Sequence, residues 1–325
     1  MIKEQVITDQ YAIYNSDCMY VLPTISENSI DLSVYSPPFA GLYNYSSSEN
    51  DFSNCETREQ FMRQYEYLII EMARVMKPGR ISAVHVTDIH DKDGGLWDFP
   101  NAVIQLHEKY GLRYMNRITI WKEPLKVRMR TMVRSLMHKL IVEDSTECFT
   151  ANPDYILIFK KKGINAIPIE HPKGLKHYAG EIPILPAMVE KYGTFEQLKK
   201  KYKDHQDPKT NKLSHIIWQR YASSVWDDIR IDEVLQYKES KDEDDEKHVH
   251  PLQLDVIDRI VELYSNPGEV ILTPFMGVGS EIFSPVSMGR KAIGIELKDT
   301  YFKQAIKNLK DVDSRFNPEN EPTLF

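Results

Sequence analysis

Residues 270–296 constrain the fold more than any other stretch of the chain. Val270-Ile271-Leu272-Thr273 reads as a short buried strand, Pro274-Phe275-Met276-Gly277-Val278-Gly279 as a glycine-rich turn, and Ser280 onward as a helix. Gly289-Arg290 then turns the chain into a second strand, Lys291 to Glu296. Strand, glycine turn, helix and strand in that order make half of a nucleotide-binding βαβ unit, which requires a parallel sheet covered by helices. The glycines let backbone approach a ligand closely at a helix N-terminus. An acid ending the second strand can accept hydrogen bonds from both hydroxyls of a ribose. Glu296 lies 19 positions after Gly277, near the roughly 20-residue spacing of that arrangement.

Gly279 is followed by Ser280, Glu281 and Ile282, so the third glycine of the dinucleotide fingerprint is missing. Its absence argues against a nicotinamide-dependent oxidoreductase. Two readings of the loop stay open: a tight strand-to-helix turn with no ligand, or a site for an adenosyl group lacking a pyrophosphate, which Phe275 can cover.

The alternation extends through the first part of the chain. Thr57-x-x-Gln60 forms a capping-box pattern, and Phe61, Tyr65, Leu68, Ile69, Met72, Val75 and Met76 recur at helical spacing until Lys77-Pro78-Gly79 stops them. A strand from Ile81 to Thr87, a helix around Phe99 to Tyr110 closed by Gly111, and a strand around Tyr114 to Trp121 follow. These elements predict an α/β fold with a doubly wound, largely parallel sheet. From Lys122 to about Leu213 the rhythm breaks, with scattered prolines and one clear strand candidate, Tyr155 to Phe159; this middle reads as an insertion or a smaller module. A helix from Leu252 to Tyr264 restores the pattern, and a further helix opens near Thr300. The last dozen residues read as a loose tail.

At 325 residues and 42% hydrophobic, the chain can bury a substantial core. No apolar run approaches a membrane span, and Lys3 and Glu4 begin a polar start without a signal peptide's apolar region, so the expected compartment is the cytoplasm. Cys18, Cys55 and Cys148 are widely separated and fit reduced thiols. The histidines, His248 and His250 included, form no metal-ligand pattern, and no metal is expected. Net charge is −7, yet six basic residues (Lys122, Lys126, Arg128, Arg130, Arg134, Lys139) face Glu123 alone between positions 122 and 139. Asp242 to Glu246 form an acidic run that reads as a solvated loop.

Ser36-Pro37-Pro38-Phe39 ends a strand candidate, Ile30 to Tyr35. Proline fixes φ, lacks an N–H, and biases the preceding residue to extended geometry, so the Ser36 and Pro37 carbonyls project without ladder partners. A rigid set of acceptors beside an aromatic face suits a planar base gripped through its exocyclic amino group. A turn that merely closes the strand is the other reading.

The two segments together resemble the amino-methyltransferases of DNA, which move a methyl from S-adenosylmethionine to an exocyclic nitrogen of cytosine or adenine. That family's target motif is Asp, Asn or Ser followed by Pro-Pro and an aromatic, here Ser36 to Phe39. Its cofactor motif is Asp-Pro-Phe-x-Gly-x-Gly, here Thr273 to Gly279, with Thr273 in place of the acid. The acidic ribose ligand corresponds to Glu296, and Asn15-Ser16-Asp17-Cys18 looks like the family's acidic turn near the cofactor. His250-Pro251-x-Gln253 is similar to its cofactor-amino-acid motif, although Leu254-Asp255 follows where Lys-Pro is common. The order, target motif first and cofactor motif last, is the permuted beta-group arrangement.

The resemblance covers roughly residues 11–121 and 248–309. It implies a Rossmann-like methyltransferase core of residues 1–121 and 214–312, an inserted target-recognition region over 122–213, and a tail over 313–325. The implied partner is double-stranded DNA, bound through the six basic residues, with base flipping bringing the target to the site. A homodimer and a companion restriction enzyme also come into consideration as partners. Ser36 and the Pro37 carbonyl would accept the amino hydrogens, Pro38 would stiffen the loop, and Phe39 would stack on the base. Asp17, Gln253, Thr273, Phe275, Gly277, Gly279 and Glu296 would hold the cofactor. Residues 41–50, with Tyr43 and Tyr45, read as a mobile loop over the target. Serine at the first motif position goes more often with cytosine N4 than with adenine N6 in that family.

Overall fold

The computed structural model describes residues 1–38, 55, 57–90, 95–182, 186–205, 207–240, 251–310 and 312, leaving aside the side chains at 130 and 186–188. Phe39, residues 41–50 with Tyr43 and Tyr45, the acidic run, His248, His250 and the tail therefore lie outside the described residues. Strands β1 (Glu4–Ile7) and β2 (Tyr11–Asn15) open the chain, followed by the short helix α1 (Cys18–Val21) and β3 (Ile30–Tyr35). Helix α2 (Arg58–Val75) leads into β4 (Met76–Val86), and two short antiparallel strands, β5 (Ile89–His90) and β6 (Leu96–Trp97), precede α3 (Phe99–Lys109) and β7 (Leu112–Ile120). The middle carries α4 (Pro124–Thr131), α5 (His138–Glu143), β8 (Asp154–Lys161), α6 (Pro186–Tyr192), α7 (Phe195–Tyr202), α8 (Lys212–Tyr221) and β9 (Val225–Trp226). Helix α9 (Leu254–Tyr264), β10 (Val270–Thr273), α10 (Ser280–Ser287), β11 (Lys291–Glu296) and α11 (Asp299–Leu309) complete it.

Among the described residues, nine strands form one sheet in the order β1-β2-β11-β10-β3-β4-β8-β7-β9. The run β2-β11-β10-β3-β4 is parallel throughout, as the doubly wound expectation requires. Strands β10 and β11 come late in the chain yet sit at the centre of the sheet, beside β3. The chain therefore moves one way from β3 to β4 and the other way from β10 to β11, which makes the β3–β10 boundary the switch point of the sheet. In open α/β sheets the crevice at the carboxyl ends of such a boundary is where ligands bind.

Both faces are covered. Helix α2 puts Phe61, Tyr65, Leu68 and Met72 against Tyr35, Val84, Val86, Leu157 and Phe159, whereas Val256, Ile257 and Ile260 of α9 meet Leu32, Val34, Ala83, Ile156 and Ile158 on the opposite face. Alternate residues of one strand serve opposite faces, the period-2 consequence of the pleat. Each large apolar side chain so buried contributes roughly 1.5–3 kcal/mol.

The opposite end of the sheet is tied by charge. Asp31 accepts from Lys77 Nζ at 2.6 Å and from Val270 N at 3.0 Å, and the buried Arg80 guanidinium donates to the Asp31 carbonyl at 2.9 Å and pairs with Glu269. These contacts cross-link β3, β4 and β10 and hold their register. Lys77-Pro78-Gly79, expected to lie between α2 and a strand, are inside β4 instead: Met76 pairs with Ile30, and Lys161 Nζ donates to the Met76 carbonyl at 2.7 Å.

Two features correct the expected organisation of residues 122–213. Strand β8 is integral to the sheet, wedged antiparallel between β4 and β7, because Ile156, Leu157, Ile158 and Phe159 supply core to both faces. The expected boundary at 213/214 falls inside α8, whose Leu213, Ile217 and Tyr221 pack with Leu175, Tyr178 and Leu198 in a small separate core. Among the described residues, no helix is long and apolar enough to cross a membrane, and no cluster of three or more His, Cys, Asp or Glu has metal-site geometry.

Candidate active site

A cavity of about 930 Å³ opens at the carboxyl ends of β3, β4, β10 and β11. Its position follows from register. Ser33 pairs with Leu272 and its Oγ donates to the Leu272 carbonyl at 2.9 Å, so Ser36 and Phe275, each three residues further on, leave the sheet side by side. Ser36, Pro37 and Pro38 line one half of the cavity, and Phe275, Gly277 and Glu296 line the other.

The glycine-loop half is held by backbone. Gly277 has φ 54° and Gly279, the N-cap of α10, has φ 99°, both in the left-handed region that favours glycine. A Cβ at Gly279 would meet Ala305 Cβ at 3.3 Å, so the loop packs closely on α11. Glu296 accepts from the Gly277 amide through Oε2 and from the Lys298 amide through Oε1, both at 2.8 Å. Its carboxylate is thereby fixed at the cavity wall, with oxygens that can each accept more than one hydrogen. Asp17 caps α1, accepting from Met19 N at 2.8 Å, and also lines the cavity. Gln253 is the N-cap residue of α9 and lines the cavity with a buried Oε1 that has no hydrogen-bond partner among the described residues. Phe275 lies 6.1 Å from the Tyr35 ring, tilted 51° to it.

Two of the expected cofactor residues do not line the cavity: Gly279, the N-cap of α10, and Thr273. Thr273 is fully buried at the end of β10, and its Oγ1 has no hydrogen-bond partner among the described residues. An acid does line the cavity from the next turn: Glu281, buried in the first turn of α10. Burial, with the nearby Glu296 charge adding to it, pushes the Glu281 carboxyl up to about 8. The expected site omitted Glu281, although an acid two residues past the second glycine was visible as a signal. The donors and acceptors at this wall fit an adenosyl-amino-acid ligand: a fixed carboxylate for ribose hydroxyls, an aromatic face, an unpartnered buried amide oxygen and a second acid.

The other half is assembled from four separate segments. Ser36 Oγ lies 3.1 Å from His85 Nδ1 and 3.4 Å from the His85 carbonyl. His85 Nε2 lies 3.2 Å from Asp154 Oδ2, and Asp154 Oδ1 accepts from Lys122 Nζ at 2.6 Å. All four side chains line the cavity. Burial works to raise the Asp154 carboxyl, but Lys122 and His85 outweigh it and hold the group well below the usual carboxylate range. Neither His85 nor Asp154 stands in a motif, and no spacing in the sequence connects them.

The same ion pair corrects one expected DNA contact. Lys122 points into the cavity against Asp154 rather than outward to a phosphate. Lys126, Arg134 and Lys139 are exposed, Arg128 is half-exposed, and Lys139 pairs with Glu143 at 3.1 Å; the Arg130 side chain is outside the described residues. Glu123, the lone acid of the segment, caps α4 by accepting from the Leu125 and Lys126 amides at 3.0 and 2.6 Å. Lys126 and Met129 of α4 reach the cavity wall, so the basic helix borders the target half.

Comparison with known proteins gives one consistent result. The family model of N6/N4 methyltransferases, described as DNA methylase, matches residues 30–307. Type II methyltransferase M.BglII of Bacillus subtilis is 25% identical over 96% of this chain and 72% of its own length. Type II methyltransferase M.BamHI of Bacillus amyloliquefaciens is 26% identical over 97% of this chain but only 61% of its own length, and DNA adenine methyltransferase YhdJ of Escherichia coli K12 is 23% identical over 94% and 85%. Among solved structures, TTHA0409 of Thermus thermophilus, described as a putative DNA modification methylase, superposes with a TM-score of 0.60 at 19% identity, covering 95% of this chain and 97% of that one. The cytosine-N4-specific PvuII DNA methyltransferase superposes with a TM-score of 0.58 at 13% identity, covering 97% and 96%.

Proposed function

Since the chain belongs to the N6/N4 DNA methylase family and is an S-adenosylmethionine-dependent DNA amino-methyltransferase, we propose that its target is the N4 nitrogen of cytosine in duplex DNA. The observation that carries this reading is Ser36: a neutral hydroxyl, beside the glycine-loop wall, occupies the position that decides how the amino group is gripped. Bound S-adenosylmethionine supplies an electrophilic methyl group. Glu296 holds the ribose hydroxyls, Phe275 covers the adenine, and Asp17, Gln253 and the Gly277–Gly279 loop shape the rest of that wall. Glu281, in place of the acid missing at Thr273, takes the ammonium of the amino-acid end.

The amino nitrogen of a base is a poor nucleophile because its lone pair is delocalised into the ring. Ser36 Oγ and the Pro37 carbonyl accept its two hydrogens, and Pro38 keeps the loop from relaxing. Held so, the nitrogen moves toward tetrahedral geometry with its lone pair directed at the methyl, and placement and electrostatics supply most of the rate. Inside a duplex that nitrogen is out of reach, so the base flips out at a cost of about a few kcal/mol, offset by pocket and backbone contacts. Lys126, Arg128, Arg134 and Lys139 bind phosphates beside the cavity and, with neighbouring parts of residues 122–224, read the recognition sequence.

Nucleoside analysis by mass spectrometry of DNA methylated by this protein tests the choice of atom. N4-methylcytosine is the expected product. N6-methyladenine alone would overturn the cytosine assignment and leave the rest of the reading in place.

A further inference from the structure

The contacts behind Ser36 go beyond a grip on the amino group. A serine hydroxyl can donate one hydrogen as well as accept, and a hydroxyl that points its hydrogen at the base would repel the amino hydrogens. Something must fix its orientation. Behind Ser36 lie His85 Nδ1 at 3.1 Å, a donor or an acceptor according to the ring's tautomer, and the His85 carbonyl at 3.4 Å, an acceptor. On the far side of the ring, the Asp154 carboxylate lies 3.2 Å from Nε2 as an ion-pair contact and can only accept, which favours the tautomer with its hydrogen on Nε2. In the neutral ring Nδ1 is then bare and takes the Ser36 hydrogen. Lys122, 2.6 Å from the other Asp154 oxygen, keeps that carboxylate charged.

We infer that His85 is the positioning residue and proton acceptor for Ser36, with Asp154 and Lys122 fixing its tautomer, so that Ser36 presents lone pairs to the target amino group. The inference rests on the amino-methyltransferase reading. The arrangement is built by the sheet: Tyr35 pairs with Val84, so Ser36 and His85 follow at the next rung, and Ile120 pairs with Asp154, which puts Lys122 just beyond. Four segments far apart in sequence converge on one hydroxyl.

The proton balance follows. The amino lone pair forms the new N–CH₃ bond, and the pair of the broken S–CH₃ bond stays on sulfur, leaving a neutral thioether. The nitrogen then sheds one hydrogen as a proton, its N–H pair remaining as the nitrogen lone pair. That proton passes to Ser36 Oγ as the serine's own hydrogen passes to His85 Nδ1. The imidazolium so formed faces the Asp154 carboxylate and later releases its proton to water.

Nitrogen-15 NMR of histidine-labelled protein, with the His85 signals assigned by their loss in His85→Gln, reads the tautomer without any substrate. Protonated Nε2 and bare Nδ1 in the wild type are expected; protonated Nδ1 in the neutral ring would overturn the inference. Asp154→Asn is expected to mix the tautomers and to slow single-turnover methyl transfer onto mixed-sequence genomic DNA by about a hundredfold, with S-adenosylmethionine affinity unchanged. A wild-type rate in Asp154→Asn would also overturn it. If Asp154→Asn does not fold, the wild-type tautomer decides alone. Absence of methyl transfer by the wild type would count against the enzymatic reading instead, a failure separate from the tautomer result.

Discussion

The two walls of the cavity are built in opposite ways. The glycine-loop wall, proposed to hold the cofactor, is local: a single run from Val270 to Glu296 contributes the glycine turn and the carboxylate, and backbone amides of Gly277 and Lys298 hold Glu296 in place. The wall proposed for the target is global: Ser36, His85, Lys122 and Asp154 come from at or near the ends of β3, β4, β7 and β8, joined through side chains. A backbone-held wall is fixed by the chain's own path and tolerates change elsewhere. A wall made of side chains from four segments depends on every rung of the sheet between them.

Substitution at the centre of each wall should separate binding from chemistry. Ser36→Ala is expected to have the largest effect, lowering the single-turnover rate about 10²–10³-fold, the scale seen when one oriented group at the reacting atom is removed, with cofactor affinity intact. Glu296→Ala removes charge-assisted hydrogen bonds worth about 1.5–3 kcal/mol. It is expected to weaken S-adenosylmethionine binding roughly 10–100-fold while leaving the rate at saturating cofactor closer to wild type. Equal losses of cofactor affinity in both variants, measured by titration, would erase the division between the walls.

That division is also what made one wall legible in the sequence and the other not. The geometry of the glycine-loop wall could be read because strand, turn and acid follow one another at a characteristic spacing, and the parallel sheet followed from the same pattern. The target wall could be read only at Ser36-Pro37-Pro38, where proline stiffens the chain locally. His85 sits inside β4 and Asp154 at the first position of β8, in a segment that looked like an insertion because its neighbours are irregular. Their partnership exists only once β8 pairs with β4 and β7, a long-range event with no local trace. The same blindness misassigned Lys122, whose membership in a basic run hid its inward pairing, and placed a boundary inside α8.

Glu281 tests how far the cofactor wall compensates for Thr273. With its carboxyl pushed up to about 8, mainly by burial, it is protonated in the folded protein at neutral pH. A ligand ammonium favours the ionised form, so S-adenosylmethionine should bind more tightly as pH rises from about 7 to about 9, with proton release visible by calorimetry in buffers of different ionisation heat. Glu281→Gln should flatten that dependence. The stability sign is opposite. The folded value lies above the ordinary 4.5, so this group's contribution is full below about 4.5 and is lost as pH rises through about 8. Glu281→Gln should therefore raise the melting temperature of the ligand-free protein at about pH 9 and change it little at about pH 5. A pH-independent affinity in the wild type would remove Glu281 from the cofactor wall.

The smallest expected effect comes from the basic segment that borders the target half of the cavity. Lys126 and Arg134 are exposed on the basic segment, where a phosphate contact is a matter of charge rather than of placement. Each Ala substitution should weaken DNA binding a few-fold and reduce the slope of log affinity against log salt by about 0.9 for each phosphate no longer neutralised. The single-turnover rate at saturating DNA should stay within about twofold of wild type, because charge that only recruits the duplex does not touch the reacting nitrogen. Lys122→Ala is the control from inside the cavity: it should leave the salt slope alone and lower the rate by disturbing Asp154. If Lys126→Ala lowers the rate at saturating DNA while Lys122→Ala changes the salt slope, the assignment of inward and outward lysines is reversed, and α4 rather than β8 supports the target wall.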